Sequence, residues 1–109
     1  MAVVTETCLE YKGSLTLDAN LMRAANLVPN EMALVANANT GARFETYIIE
    51  GPAESGVVCV NGAAARLAEE GDRIIVISSA FFDEKELEGF KPIVVHPKDK
   101  NRTFTVEEG

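Results

Sequence analysis

Glu31-Met32-Ala33-Leu34-Val35-Ala36, then Asn37-Ala38-Asn39-Thr40-Gly41, then Arg43-Phe44-Glu45-Thr46-Tyr47-Ile48-Ile49 is the stretch that decides the fold class. Its two flanks are apolar-rich and carry β-branched and aromatic side chains, and the segment between them is built from the small polar residues and glycine that turns require. This reads as two strands joined by a hairpin connection longer than a two-residue turn. Alternation along the second strand places Phe44 and Thr46 on one face and Arg43, Glu45 and Tyr47 on the other.

The rest of the chain repeats the pattern of short strands and turns. Upstream, residues 2–9 form a β-rich opening, and Leu15 and Leu17 flank Thr16 in a short strand. Asp18 is placed to cap a short helix with Leu21, Met22 and Ala25 on its apolar face, and Asn26 to stop it. Pro29-Asn30 is a turn. Downstream, Gly51-Pro52 ends the second strand, and residues 57–60 form a short buried one. Asn61-Gly62 turns the chain into a brief helix over 63–67. Glu70-Gly71-Asp72 turns it again into a strand over 73–78. Phe81-Phe82-Asp83 leads to a helical turn at 84–87. Residues 93–95 and 103–106 pair across Pro97-Lys98-Asp99-Lys100-Asn101. Many short strands and only short helices predict a mainly β protein, a small closed or half-closed barrel. The whole chain, 1–109, reads as one domain.

Composition narrows the function. Apolar residues make up 47% of the 109, but Trp is absent and aromatics are few, so Val, Ile, Leu, Ala and Phe must build the core. A net charge of −7 argues against nucleic acid, which needs clustered Lys and Arg. It leaves room for an anionic substrate, because one local arginine can hold a carboxylate. Cys8 and Cys59 match no metal or redox spacing and read as reduced thiols. His96, alone before Pro97, is a surface residue and no metal ligand. No apolar run reaches membrane length, and no signal peptide opens the chain, so a cytoplasmic location is expected.

Three short motifs remain: Tyr11-Lys12-Gly13-Ser14, Arg43-Phe44-Glu45-Thr46-Tyr47 and Asn61-Gly62-Ala63-Ala64-Ala65. Each has an ordinary structural reading. Gly-Ser is a turn dipeptide, Arg43 an exposed strand charge, Thr46 and Tyr47 good β-formers, and Asn61-Gly62 a turn. A Gly-Ser bond can also convert itself. The serine hydroxyl attacks the glycine carbonyl and turns the amide into an ester. Elimination leaves dehydroalanine, and hydrolysis releases ammonia and leaves a pyruvoyl group at the new N-terminus. A residue without a Cβ at 13 would ease the strained approach.

Together, at this spacing, the motifs resemble those of the pyruvoyl-dependent aspartate 1-decarboxylases, over residues 4–82. The resemblance implies a double-psi β-barrel that cleaves itself between Gly13 and Ser14. It implies decarboxylation of L-aspartate to β-alanine for pantothenate synthesis, through a Schiff base on the pyruvoyl group from Ser14, with no metal or nucleotide. It assigns Ser14 and Tyr47 to catalysis, with Tyr47 as proton donor, and Gly13, Ser14, Thr46 and Asn61 to processing. Arg43, Tyr11, Asn61, Gly62, Ala63 and Ala64 are assigned to substrate binding. Arg43 would grip the carboxylate retained in the product, because holding the leaving one would stabilise the ground state. A homotetramer is implied, and a maturation helper protein is left open. Family members carry a further N-terminal strand with a lysine and a histidine, and Met1 falls after both. The alternative is an unprocessed, non-catalytic barrel serving as a structural or interaction module.

Overall fold

The computed structural model describes all 109 residues. In chain order the strands are β1 (Ala2–Val3), β2 (Glu6–Cys8), β3 (Ser14–Asp18), β4 (Met32–Asn37), β5 (Arg43–Gly51), β6 (Val58–Asn61), β7 (Arg73–Ile77), β8 (Ile93–Lys98) and β9 (Thr103–Glu108). Helix α1 spans Ala19–Ala24, a 3₁₀ helix Gly62–Leu67, and α2 Glu84–Leu87. Seven strands form one curled sheet in the order β1-β7-β4-β5-β3-β6-β2, and β8 and β9 form a separate ribbon.

The hairpin read from the sequence is β4–β5, with Ala36 opposite Arg43 and Met32 opposite Tyr47. Asn37 organises its connection. The buried side chain accepts from the backbone N–H groups of Asn39 and Thr40 and donates to the Leu67 carbonyl and the Asp72 carboxylate. That amide, followed by the Glu69 N–H, holds the Asp72 carboxyl below its ordinary range.

Two parallel pairings, β3 with β5 and β2 with β6, sit among antiparallel ones and join strands distant in sequence. They make the sheet a half-barrel rather than a meander, in agreement with the expected mainly β, double-psi barrel class. Its core is Val4, Leu15, Leu17, Val35, Ile48, Val58, Val60 and Ile74, aliphatic as the composition demands, with Met22 of α1 closing one side.

Asp18 caps α1 as expected, accepting from Asn20 N–H at 2.8 Å, and Asn26 ends it at φ 58°. The cap has a second task. The buried carboxylate also accepts from the N–H groups of Glu54 and Gly56, which fixes the loop between β5 and β6.

The C-terminal ribbon differs from expectation. Its strands run through Pro97 and Lys98, pairing Pro97 with Phe104. Proline is tolerated there because each strand of a two-stranded ribbon has an outer edge where no N–H is needed. The turn shifts to residues 99–102 and includes three successive left-handed residues, Asp99, Lys100 and Asn101, at φ 49°, 54° and 69°. They turn the Asn101 side chain inward. Its Oδ1 accepts from Val3 N at 2.9 Å, and its Nδ2 donates to the carbonyls of Val3 at 2.7 Å and Gly56 at 3.0 Å. One buried amide thereby fastens the ribbon tip to β1.

Candidate active site

Register decides which side chains meet at the Gly13-Ser14 bond. β3 and β6 are antiparallel, with Ser14 opposite Asn61 and Thr16 opposite Cys59. Side chains two apart on a strand share a face, so these four form a square on one side of the sheet. The square is polar in otherwise apolar strands, and it is hydrogen-bonded throughout.

Ser14 is fully buried at 0% exposure. Its hydroxyl donates to the Lys12 carbonyl at 3.0 Å and accepts from Asn61 Nδ2 at 3.0 Å. The second Nδ2 hydrogen goes to Thr16 Oγ1 at 2.9 Å. Asn61 Oδ1 accepts from Cys59 Sγ at 3.1 Å. Asn61 stands at the N-cap of the 3₁₀ helix yet makes no cap bond with its side chain, which is committed to the square. Burial pushes the Cys59 thiol up to about 11, with the nearby Glu6 and Cys8 adding to the rise. It therefore remains a protonated S–H donor at neutral pH.

The chemistry this permits is local. A serine oxygen that meets an amide donor has a preset partner for charge that develops on it. The neighbouring Gly13 carbonyl belongs to the bond preceding Ser14.

Backbone closeness here is set by Gly62, not Gly13. A Cβ at Gly13 meets nothing within 4 Å, so sterics do not demand glycine there, contrary to the sequence-based argument. Gly62 lies at φ 74°, and a Cβ on it would stand 2.6 Å from Gly13 Cα and 2.8 Å from Gly13 N. The bare Cα of Gly62 is what lets the segment before Ser14 lie against the 3₁₀ helix. Gly62→Ala is expected to destabilise the chain by about 1–3 kcal/mol from the left-handed backbone alone, with the overlap adding to it. Denaturant unfolding in a Ser14→Ala background checks this without interference from cleavage. Stability within about 0.5 kcal/mol of the parent would refute the close approach.

The other sequence-predicted residues are less gathered. Thr46 is buried on the inner face of β5, and Arg43 is exposed on the outer one. Tyr47 is half-buried on that outer face, and the β3–β5 ladder begins at Leu15 opposite Ile48, one step beyond Ser14 and Tyr47. No side-chain hydrogen bond joins Arg43, Thr46 or Tyr47 to the square. Tyr11 is 53% exposed and contributes its backbone, whose carbonyl lies against Gly62. Of the alanines, Ala63 is exposed and Ala64 packs partly against the core. Thr16, Cys59 and the Lys12 carbonyl were not anticipated. The available signal was the pair of polar-x-polar alternations, Ser14-x-Thr16 and Cys59-x-Asn61.

The family model for aspartate decarboxylase matches residues 1–104. An aspartate 1-decarboxylase of Pelotomaculum thermopropionicum is 51% identical over 108 residues, 99% of this chain and 82% of that relative. One from Thermoanaerobacter pseudethanolicus is 50% identical over 101 residues, 93% of this chain and 86% of the relative. One from Parabacteroides distasonis is 57% identical over 94 residues, 86% of this chain and 81% of the relative.

Proposed function

The chain belongs to the aspartate decarboxylase family, and from that premise we propose that it converts L-aspartate to β-alanine and carbon dioxide, for pantothenate synthesis, after cleaving itself between Gly13 and Ser14. The observation that carries the reading is the buried Ser14 hydroxyl, held between a donor on Asn61 and an acceptor on Lys12 directly at the bond to be broken.

The residues present fit a pyruvoyl group derived from Ser14. Position 14 is enclosed, its oxygen is fully partnered, and Asn61 keeps two N–H bonds pointed at it and its neighbour Thr16. When formed, the pyruvoyl group supplies the electron sink that loss of carbon dioxide needs. Asn61 polarises the oxygen at position 14. Thr46, buried on the inner face of β5, assists the cleavage. Arg43 holds the carboxylate that the product retains, its planar fork matching the two oxygens. Tyr47 delivers a proton to the carbon that carbon dioxide has left. Tyr11 and the segment Gly62-Ala63-Ala64 border the substrate.

Arg43 and Tyr47 lie on the outer face of β5, and a homotetramer would cover that face and dry the pocket around them. A dry pocket strengthens both the arginine–carboxylate pair and the phenol as an acid.

Intact-mass measurement of freshly purified protein tests the reading. Cleavage gives fragments 1–13 and 14–109, the second carrying the pyruvoyl mass. A chain that stays whole on prolonged incubation, alone and with cell extract from a species holding a family member, overturns it. Cleavage in extract only assigns a maturation protein.

A further inference from the structure

We propose that Cys59 is a positioning residue, orienting the Asn61 amide so that its NH₂ group faces Ser14; the consequence for cleavage rests on the proposed function, while the orientation itself does not. An asparagine side chain fits its cavity in two orientations related by exchange of Nδ2 and Oδ1, and only its hydrogen-bond partners choose between them. Here Nδ2 faces two hydroxyl oxygens, Ser14 Oγ at 3.0 Å and Thr16 Oγ1 at 2.9 Å, and Oδ1 faces Cys59 Sγ at 3.1 Å.

Reversing the amide would break this set. Oδ1 would meet the Ser14 and Thr16 hydroxyls, and Ser14 could donate to it only by giving up its bond to the Lys12 carbonyl. Nδ2 would meet a sulfur, which is a weak acceptor. The buried thiol is the only side chain that donates a hydrogen bond to Oδ1, and its S–H favours the productive orientation. Cys59 reaches this place through register, opposite Thr16 and two residues before Asn61 on the same face of β6. Its elevated affinity for its proton keeps the donor present across the physiological range.

The role acts through Asn61, and Cys59 touches no reacting atom. In Cys59→Ala the Oδ1 loses its donor and the amide samples both orientations. In Cys59→Ser a hydroxyl restores a donor at nearly the same place. Self-cleavage is expected to slow about three- to tenfold in Cys59→Ala, the rate equivalent of one ordinary hydrogen bond, and to return to within about twofold of the parent in Cys59→Ser. Thermal unfolding of both variants separates this from packing, since a merely structural role would track lost stability and not donor capacity.

A second readout needs no cleavage. In the Ser14→Ala background, exchange of the Asn61 side-chain amide hydrogens is measured by ¹⁵N-edited spectroscopy. Exchange that is slow with Cys59 and with Cys59→Ser, and several-fold faster with Cys59→Ala, supports the inference. Equal exchange in all three overturns it, as does parental cleavage in Cys59→Ala. A parent that never cleaves defeats the proposed function and leaves the exchange comparison to decide the orientation.

Discussion

Ser14→Ala is expected to remain a single chain of 109 residues under incubation in which the proposed cleavage splits the parent in two, and to turn over no aspartate. The effect is complete because no other hydroxyl lies against the Gly13 carbonyl from the following residue. The substitution is also clean. Thr16 still accepts from Asn61 Nδ2, so the amide loses one partner and keeps the other. The Lys12 carbonyl loses a side-chain donor. The expected cost in stability is about 1 kcal/mol, small beside a total loss of cleavage. Intact mass reads the result directly. Fragments of the expected size in Ser14→Ala would show that the Ser14 hydroxyl is not the nucleophile and dismiss the role of the buried square.

Tyr47→Phe is expected to cleave like the parent but to turn over aspartate about 10²–10⁴-fold more slowly, the usual cost of removing a positioned acid. The separation of the two effects follows from where Tyr47 stands. Its ring is half-buried on the outer face of β5, beyond the start of the β3–β5 ladder, and its hydroxyl makes no hydrogen bond within the chain. Losing that hydroxyl therefore leaves the Ser14 square and the strand pairing intact. Thermal unfolding should match the parent, while β-alanine production falls and aspartate-derived mass is retained on the processed chain. Parental turnover in a fully processed variant would return Tyr47 to the status of a strand residue.

Local chemistry made much of the fold legible. The caps at Asp18 and Asn26, the β4–β5 hairpin with its Asn37 connection and the polar breaks at Gly51-Pro52 and Glu70-Gly71-Asp72 are each decided by residues close in sequence. The parallel pairings of β3 with β5 and β2 with β6 are not, because alternation fixes which face a side chain takes and says nothing of which distant strand lies alongside. Family resemblance, not periodicity, anticipated the double-psi barrel, and neither anticipated these pairings. Pro97 misled for a related reason: proline is excluded from central strands, and only the ribbon's isolation makes its position an edge.

The site divides in the same way. Ser14 and Asn61 stood out as motif residues, and register then brought them face to face. Cys59 read as a reduced thiol, since only its bond to the Asn61 side chain, two residues on along β6, gives it a task. Gly62 read as a turn glycine. Its left-handed φ of 74° agrees with that, but its closeness to Gly13 depends on how the 3₁₀ helix packs against a segment nearly fifty positions earlier.

The Asn101 clamp on Val3 acquires another meaning once the Gly13-Ser14 bond is gone. Residues 1–13 then have no covalent tie to the body they are woven into. They are kept by Val4 in the core, by backbone bonds from Val4 to Asp72 and Gly71 and from Thr5 to Val58, and by the Asn101 amide gripping both backbone groups of Val3. The proposed cleavage would thus turn a one-piece protein into two noncovalently associated pieces, the segment before Ser14 and its former continuation. Unfolding gains a molecularity: the midpoint of the cleaved form rises with protein concentration, and that of Ser14→Ala, as far as the single chain is concerned, does not. The C-terminal ribbon, which touches none of the proposed chemistry, becomes the latch on a noncovalent subunit.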